Sequence, residues 1–252
     1  MRSLALIALL SIAQVDLRSS TAALKSPDPA SRTRAACDIR ELGSGAQEAI
    51  PLLLDLLADG SPVDPAVCDE RTWRWTQQRD VTTTPGEQAA SALVAIGTPA
   101  YEPLTRVLKG PVWIARGNAA WALGALGNHA ATPLLAAVLR DTEPAVRRRG
   151  AWALGALDAS ESLPALIEAL KDSDVGVREQ VAWALGAIGD RRAVDALMNA
   201  LSDQAASVRE QAAWALGALG DHKAAAALSK ALKDPEARVR RKAAWALGAI
   251  GG

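Results

Sequence analysis

The chain of 252 residues carries 28 basic and 28 acidic side chains, and half of its residues are apolar. This balance argues against a general nucleic-acid binder and against a protein that attaches to anionic lipid, because both need a basic surface. Eight Trp, one Tyr and no Phe, with abundant Ala and Leu, favour closely packed helices over a β-sandwich or β-barrel.

The first thirteen residues predict a secretory signal peptide. Arg2 precedes an apolar run from Leu4 to Ala13, which ends in a small-residue cleavage pattern ahead of Gln14. Cleavage there predicts export to the periplasm or the outside of the cell. The alternative is that residues 1–13 form an apolar capping helix of a cytoplasmic protein.

Residues 59–85 interrupt a pattern of repeated helical hairpins, which is described in the next paragraph. The interruption lies in the second hairpin, and we interpret it as a long loop. It is rich in Pro, Thr and charge and holds Trp73, Trp75 and Cys68. Export would place Cys37 and Cys68 in an oxidising compartment, where a disulfide would tie the loop to the first hairpin. Two unrelated thiols are an equally weighted alternative.

The pattern itself covers residues 14–252 and is strongest in the C-terminal half. The string Ala-Trp-Ala-Leu-Gly-Ala occurs five times, always 31 residues apart. Each period holds two amphipathic segments, for example Leu163 to Leu170 and Asp174 to Ile188. Weaker copies place Cys37 and Ser91 in the Trp position. The sequence therefore predicts an all-α solenoid of about seven helical hairpins, beginning near residues 14, 45, 99, 129, 160, 191 and 222.

These residues resemble the HEAT-like repeats of bacterial bilin lyase subunits and many other bacterial proteins. The resemblance covers nearly the whole chain after residue 14 and implies a right-handed α-solenoid whose second helices line a concave wall. Tetratricopeptide repeats are the nearest rival, but their signature has two residues between Trp and Leu-Gly and a later Phe. Here one residue, Ala153, separates Trp152 from Leu154, and Phe is absent.

The recurring Trp residues point to a binding groove. A helical step of 100° places Trp152 about 160° from the core-facing direction of its hairpin. Five indoles about 10 Å apart on the concave wall would reach the ~300–600 Å² apolar patch that monomers tolerate. We predict that they bind an extended segment of another protein, without a cofactor. The equally weighted alternative is that each Trp only packs on Gly155, Ala156 or their equivalents in the adjacent repeat. The five residues are Trp121, Trp152, Trp183, Trp214 and Trp245.

Charges of both signs accompany the indoles, at the positions three and four residues before each Trp. Charges of both signs favour one alignment of a bound polypeptide along the groove, because wrong alignments bring like charges together. A channel for phosphate groups would instead be uniformly basic. Ordinary solvation of a helical face is the alternative for any single residue. The predicted charged contacts are Arg148, Glu179, Glu210 and Arg241.

A second periodic series, of Asp and Arg six residues apart, is predicted to be structural. Each Arg lies at the margin of the buried face, where its guanidinium can bridge hairpins and bind a carboxylate in a turn. The resemblance to HEAT repeats implies that this series forms a ladder of Asp and Arg side chains, which fixes the stacking of the hairpins. The members are Asp141, Arg147, Asp172, Arg178, Asp203, Arg209, Asp234 and Arg240.

No enzyme or metal site is predicted. The HEAT-like enzyme deoxyhypusine hydroxylase holds a di-iron site with His-Glu pairs, whereas Ala130 follows His129 and Lys223 follows His222. The second hypothesis is an accessory or lyase-type subunit that holds a tetrapyrrole or another planar ligand in the groove. The last hairpin also predicts self-association, because it shows no polar capping helix.

Overall fold

The structure, a computed structural model, describes residues 16–68 and 82–251. In these ranges the helices pair into seven hairpins, which confirms the predicted α-solenoid. The predicted signal peptide, Trp73 and Trp75 lie outside the described residues. The first helices are α1 Leu17–Ala23, α3 Ile50–Leu56, α5 Tyr101–Val107, α7 Thr132–Val138, α9 Leu163–Ala169, α11 Val194–Ala200 and α13 Ala225–Ala231. The second helices are α2 Pro29–Leu42, α4 Pro85–Ile96, α6 Trp113–Ala125, α8 Pro144–Ala156, α10 Val175–Ile188, α12 Ala206–Leu219 and α14 Ala237–Gly251.

Local sequence signals set the ends of the second helices. Asp174 caps α10 by accepting a hydrogen bond from the backbone N–H of Val177, and Pro occupies the first turn of α2, α4 and α8. Gly189 follows α10 with a φ of 72°. After α8 this left-handed position is held by Asp158, whose φ is 52°; it is the one non-glycine residue with positive φ in the described ranges.

The two helical layers pack differently. Successive second helices lie in direct contact along the array, through buried Ala and Gly such as Ala153 and Ala184. Successive first helices are separated by clefts, for example between α7 and α9 and between α9 and α11. The second helices therefore form the shorter, inner side of the curved array. Fully buried Leu residues, including Leu154, Leu185 and Leu216, fill the space between the layers.

An Arg on the second helix joins the turn of its own hairpin to the turn of the next. In one example, Nε and Nη2 of Arg178 donate to the two carboxylate oxygens of Asp203, at 2.8 and 2.9 Å. Nη1 of Arg178 donates to the backbone carbonyls of Asp172 and Ser173. Thus the Asp six residues before the Arg supplies a carbonyl, whereas the carboxylate comes from the Asp 25 residues after it.

We call this arrangement the Arg–Asp clasp. The other pairs with two such hydrogen bonds are Arg116 with Asp141, Arg147 with Asp172, and Arg209 with Asp234. At the first junction, Arg32 reaches Asp59 through one carboxylate oxygen, with its Nε at 2.7 Å and its Nη2 at 2.6 Å from Oδ2. Arg240 donates to the carbonyls of Asp234 and Pro235 within its own turn.

The clasp changes the acidity of its carboxylates. Hydrogen bonds from Arg178 hold the pKa of the Asp203 carboxyl below its ordinary value, although partial burial acts in the opposite direction. The pKa values of Asp141 and Asp234 are lowered for the same reason, by Arg116 and Arg209. Both side chains of the Arg178–Asp203 pair are only 14% exposed, so solvent screens them little.

We expect Asp203→Asn to lower the free energy of unfolding at pH 7 by about 1–3 kcal/mol, because a hydrogen-bonded charged pair is broken. The folded pKa of Asp203 lies below the unfolded value of about 3.9, so the stabilisation is complete above that value and is lost as pH falls through the folded pKa. Urea unfolding at several pH values should therefore show the difference between variant and wild type shrinking below about pH 4.

The control is Asp195→Asn. The Asp195 side chain is 66% exposed and that of its partner Lys223 is 58% exposed, so the free energy of unfolding should change by less than about 0.5 kcal/mol. An Asp203→Asn effect that is equal at pH 7 and pH 3 would contradict this account of the clasp.

Candidate functional site

The second helices bring the five predicted indoles to one side of the array, in equivalent positions of α6, α8, α10, α12 and α14. Four of the five side chains are half-buried, and Trp245 in the last helix is 49% exposed. On α8 the neighbours of Trp152 in the chain, Ala151 and Ala153, are fully buried. We call the five residues the Trp ladder. Each member is partly covered by the array and partly accessible.

Three members of the Trp ladder pack on a Gly of the preceding second helix. A Cβ placed on Gly155 would lie 2.8 Å from Cζ3 of Trp183, and one placed on Gly186 would lie 2.7 Å from Cζ3 of Trp214. Trp245 has the same relation to Gly217. One edge of each of these rings therefore packs on the adjacent repeat, as the packing alternative expected. The binding role of the accessible part stays a prediction.

The N-terminal end of the Trp ladder departs from the expected spacing. The rings of Trp121 and Trp152 are stacked, with centroids 5.8 Å apart and planes 21° apart. The expected interval of about 10 Å is wrong for this pair. At Gly124, which corresponds to Gly155, the atoms nearest to an added Cβ belong to Ala153, because the indole of Trp152 turns to Trp121 instead. No partner side chain fits between these two rings.

The predicted charged contacts differ in how far they are already paired. Arg148 and Arg241 are exposed, whereas Glu179 and Glu210 are half-buried. Glu210 faces Arg238, with 3.6 Å between its Oε2 and the Nε of Arg238. Beside Trp245, the ammonium of Lys242 lies 5.8 Å from the ring centroid. Charges of both signs are thus present beside the ladder, with Glu210 partly neutralised.

A polar network that the sequence analysis missed joins the second, third and fourth hairpins. Asn118 is 1% exposed, and its Nδ2 donates to the backbone carbonyl of Leu57 at 2.8 Å. Its Oδ1 accepts from Arg149, whose Nη2 donates to Glu87 Oε1 at 2.8 Å. Arg149 is therefore not a solvated groove charge but a link between α8 and α4.

This network lies where the Arg–Asp clasp is missing. Gly86, five residues before Ser91, takes the place of the clasp Arg in α4, and Gly110 takes the place of the Asp before Arg116. A Cβ on Gly86 would lie 2.8 Å from both Asn118 Nδ2 and the Leu57 carbonyl, so a side chain here would displace Asn118. These two Gly substitutions were the available sequence signal for a different junction.

The same junction contains a cleft of about 310 Å³ on the indole-bearing side. Its chemistry is mixed, with one aromatic wall, hydroxyl and amide groups, and the ion pair of the network. Its lining residues are Thr83, Glu87, Gln88, Ser91, Trp121 and Arg149.

The described ends of the insert are fastened beside this cleft. Val63 and Thr83 exchange two backbone hydrogen bonds as an antiparallel bridge, at 2.8 and 2.9 Å. The structure joins Cys68, at the end of this segment, to Cys37 of α2 by a disulfide. Gln88 Oε1 lies 3.4 Å from Cys37 Sγ, so the bond adjoins the residues that line the cleft.

The described residues offer no group of three or more His, Cys, Asp or Glu side chains that could hold a metal ion. His129 and His222 open short 3₁₀ turns on the loops between hairpins. Within the same ranges, every helix is too short or too polar to cross a membrane.

Comparison with known proteins identifies related sequences and folds. A family profile described as HEAT repeats matches residues 86–151, 132–209 and 195–252, which is more than half of the chain. No curated protein matches the sequence significantly.

Among solved structures, Kap121p is similar with a TM-score of 0.70 and 16% identity, over 94% of this chain and 29% of Kap121p. The CpcE–CpcF complex of phycocyanin lyase from Nostoc sp. PCC7120 is similar with a TM-score of 0.48 and 20% identity, over 99% of this chain and 100% of that one. Human deoxyhypusine hydroxylase is similar with a TM-score of 0.44 and 23% identity, over 93% of this chain and 84% of that one. At these identities, the likeness to Kap121p is one of fold.

We expect Gly186→Ala to destabilise the protein by about 1–3 kcal/mol, because its Cβ would lie 2.8 Å from the Cα of Ala215 as well as against Trp214. The matched control is Gly248→Ala, at the equivalent position of α14, where an added Cβ meets nothing within 4 Å. There the better helix propensity of Ala should stabilise by up to about 1 kcal/mol. Urea unfolding followed by circular dichroism measures both, and equal effects of the two variants would refute the close packing.

Proposed function

Because the chain belongs to the HEAT-repeat family, we propose that it is a non-catalytic scaffold that binds an extended segment of another protein along the Trp ladder. HEAT-repeat arrays stack hairpins into a continuous surface on which long partners lie. The observation that carries the proposal is that all five indoles occur on the inner helices and that each keeps an accessible part.

Apolar area supports a polypeptide partner. Indoles present up to about 150–250 Å² each, so five partly accessible ones form a patch near or above the ~300–600 Å² found on ordinary monomers. Patches of this size on a folded protein mark interaction sites. The half-burial of Trp183 and Trp214 against Gly fixes the orientation of their rings, so little side-chain entropy is lost when a partner binds.

Spacing favours an extended chain as the partner. Adjacent helices pack about 8–10 Å apart, which is close to three residues of extended or polyproline-type chain at about 3.1–3.3 Å each. From Trp152 to Trp245 a partner can therefore place one side chain against each interval between indoles. The exposed Arg148 and Arg241, with Glu179 between them, would disfavour registers that bring like charges together.

The accessory-subunit hypothesis predicts a different ligand for the same groove. A tetrapyrrole would stack on several indoles and give the purified protein a visible absorption band. Titration of the protein with a tetrapyrrole separates the two, because a bound tetrapyrrole would quench Trp fluorescence when no peptide is present.

We expect the combined replacement Trp152→Ala, Trp183→Ala and Trp214→Ala to abolish capture of a polypeptide partner from an extract of the native host. The reason is that the middle of the patch and its intervals are removed together. Immobilised wild-type and variant proteins are compared by mass spectrometry of the bound fraction. The matched control is Trp113→Ala, which removes a 45% exposed Trp outside the ladder and should leave capture unchanged.

Since the triple variant also loses packing, its circular dichroism spectrum must match that of the wild type. The exchange Arg148→Glu with Glu179→Arg tests the same surface without removing packed rings, and should weaken binding about tenfold or change the bound partner. Unchanged partners in both variants would contradict the proposal.

We further propose that the protein is exported, as the N-terminal sequence predicts. A disulfide between Cys37 and Cys68 supports this, because such bonds persist in oxidising compartments. Protein isolated from its host should then begin at Gln14, and both cysteines should resist alkylation until a reductant is added. Intact mass spectrometry measures both, and a chain that retains residues 1–13 with two free thiols would contradict export.

A further inference from the structure

The cleft beside the insert occupies a place in the repeat register that the five following hairpins fill with an indole. Ser91 holds the Trp position of α4, and the next Trp along the chain is Trp121 of α6. Both residues line the cleft of about 310 Å³. The cleft is therefore the vacant position of the Trp ladder, with its volume set by replacing a large side chain with a small one.

The aromatic wall of the cleft is held in a fixed orientation. Trp121 stacks on Trp152 on the side of the following hairpin, which restrains its ring. A ring that entered from the groove would continue this arrangement of indoles. Stacked or edge-to-face aromatic pairs gain stability beyond the area they bury.

The polar wall is also pre-organised. Gln88 Nε2 donates to Thr83 Oγ1 at 2.9 Å, and its Oε1 accepts from Arg40 at 3.1 Å. Glu87 Oε1 binds Arg149, while Glu87 Oε2 is 3.5 Å from Thr83 Oγ1, at the outer limit of a hydrogen bond. The Glu87 carboxylate thus keeps capacity to accept from a ligand, and it is 40% exposed at the edge of the cleft.

We propose that this cleft is a specificity pocket for one aromatic side chain with a hydrogen-bond donor, Tyr or Trp, in the bound polypeptide. The ring packs on Trp121 in the vacant ladder position, and its O–H or N–H donates to Glu87. The volume is at the lower end of the ~300–1,000 Å³ of small-molecule pockets, which suits one side chain. The inference deepens the proposed function, because it identifies what the partner must carry at one end of the groove.

The test uses N-acetyl-tyrosinamide as the probe, followed through the indole N–H signals of the full-length protein by nuclear magnetic resonance. Saturable shifts at Trp121, with little change at Trp183 and Trp214, are the expected result. N-acetyl-phenylalaninamide should bind about fivefold more weakly, because it lacks the donor for Glu87.

Two variants locate the pocket. Ser91→Trp supplies the missing indole from the chain itself and should weaken binding of the probe at least tenfold. Glu87→Gln should reduce the preference for N-acetyl-tyrosinamide over N-acetyl-phenylalaninamide, because a neutral amide oxygen is a weaker acceptor than a carboxylate. It provides an independent result if Ser91→Trp does not fold, and Trp113→Ala, which removes an exposed Trp outside both the ladder and the cleft, should leave probe binding unchanged.

Three results would overturn the proposal: shifts distributed evenly over the five indoles, unchanged binding to a folded Ser91→Trp protein, or tighter binding of free tyrosine than of the amide. The last would indicate a site for a free amino acid instead of a peptide. Failure of the proposed polypeptide binding along the Trp ladder gives a different result. In that case the triple Trp variant would keep its partners, while the probe would still shift the signal of Trp121.

Discussion

The array depends on the close approach of successive second helices. A single hairpin leaves one apolar face open, and only stacking on a neighbour covers it. Gly155, Gly186 and Gly217 allow this contact, because each stands where a Cβ would meet both an indole and the backbone of the next helix. The recurring Trp and the recurring Gly are therefore one packing unit spread over two repeats, and the same contact that builds the solenoid sets the orientation of the rings in the groove.

The Arg–Asp clasp and the Asn118 network solve the same problem with different chemistry. In the clasp, a guanidinium joins two consecutive turns through paired hydrogen bonds at the edge of the stack. At the junction of the second and third hairpins both clasp residues are replaced by Gly, and a buried amide reaches across to the Leu57 carbonyl instead. The network leaves room on the inner side, so the junction that departs from the repeat is also the one that contains the cleft.

Periodicity in the sequence was sufficient to predict the fold, because each hairpin repeats the same local signals and contacts only its neighbours. It placed the helices of the fifth hairpin within a residue or two and identified the Asp and Arg series. It did not predict which Asp each Arg binds, since a spacing of six along the chain hides a contact 25 residues away. The stacking of Trp121 on Trp152 and the role of Arg149 depend on side-chain rotamers and on the irregular second hairpin, for which a repeat average carries no information.

The network of Asn118 has a consequence for assembly of the chain. The five C-terminal second helices share the Ala-Trp-Ala-Leu-Gly-Ala string, so during folding a hairpin can dock on a neighbour one repeat too far with nearly native contacts. The contacts of Asn118 with Gly86 and Arg149 join the second, third and fourth hairpins and do not recur at the later described junctions. They give the otherwise interchangeable units a unique origin from which the correct order can propagate.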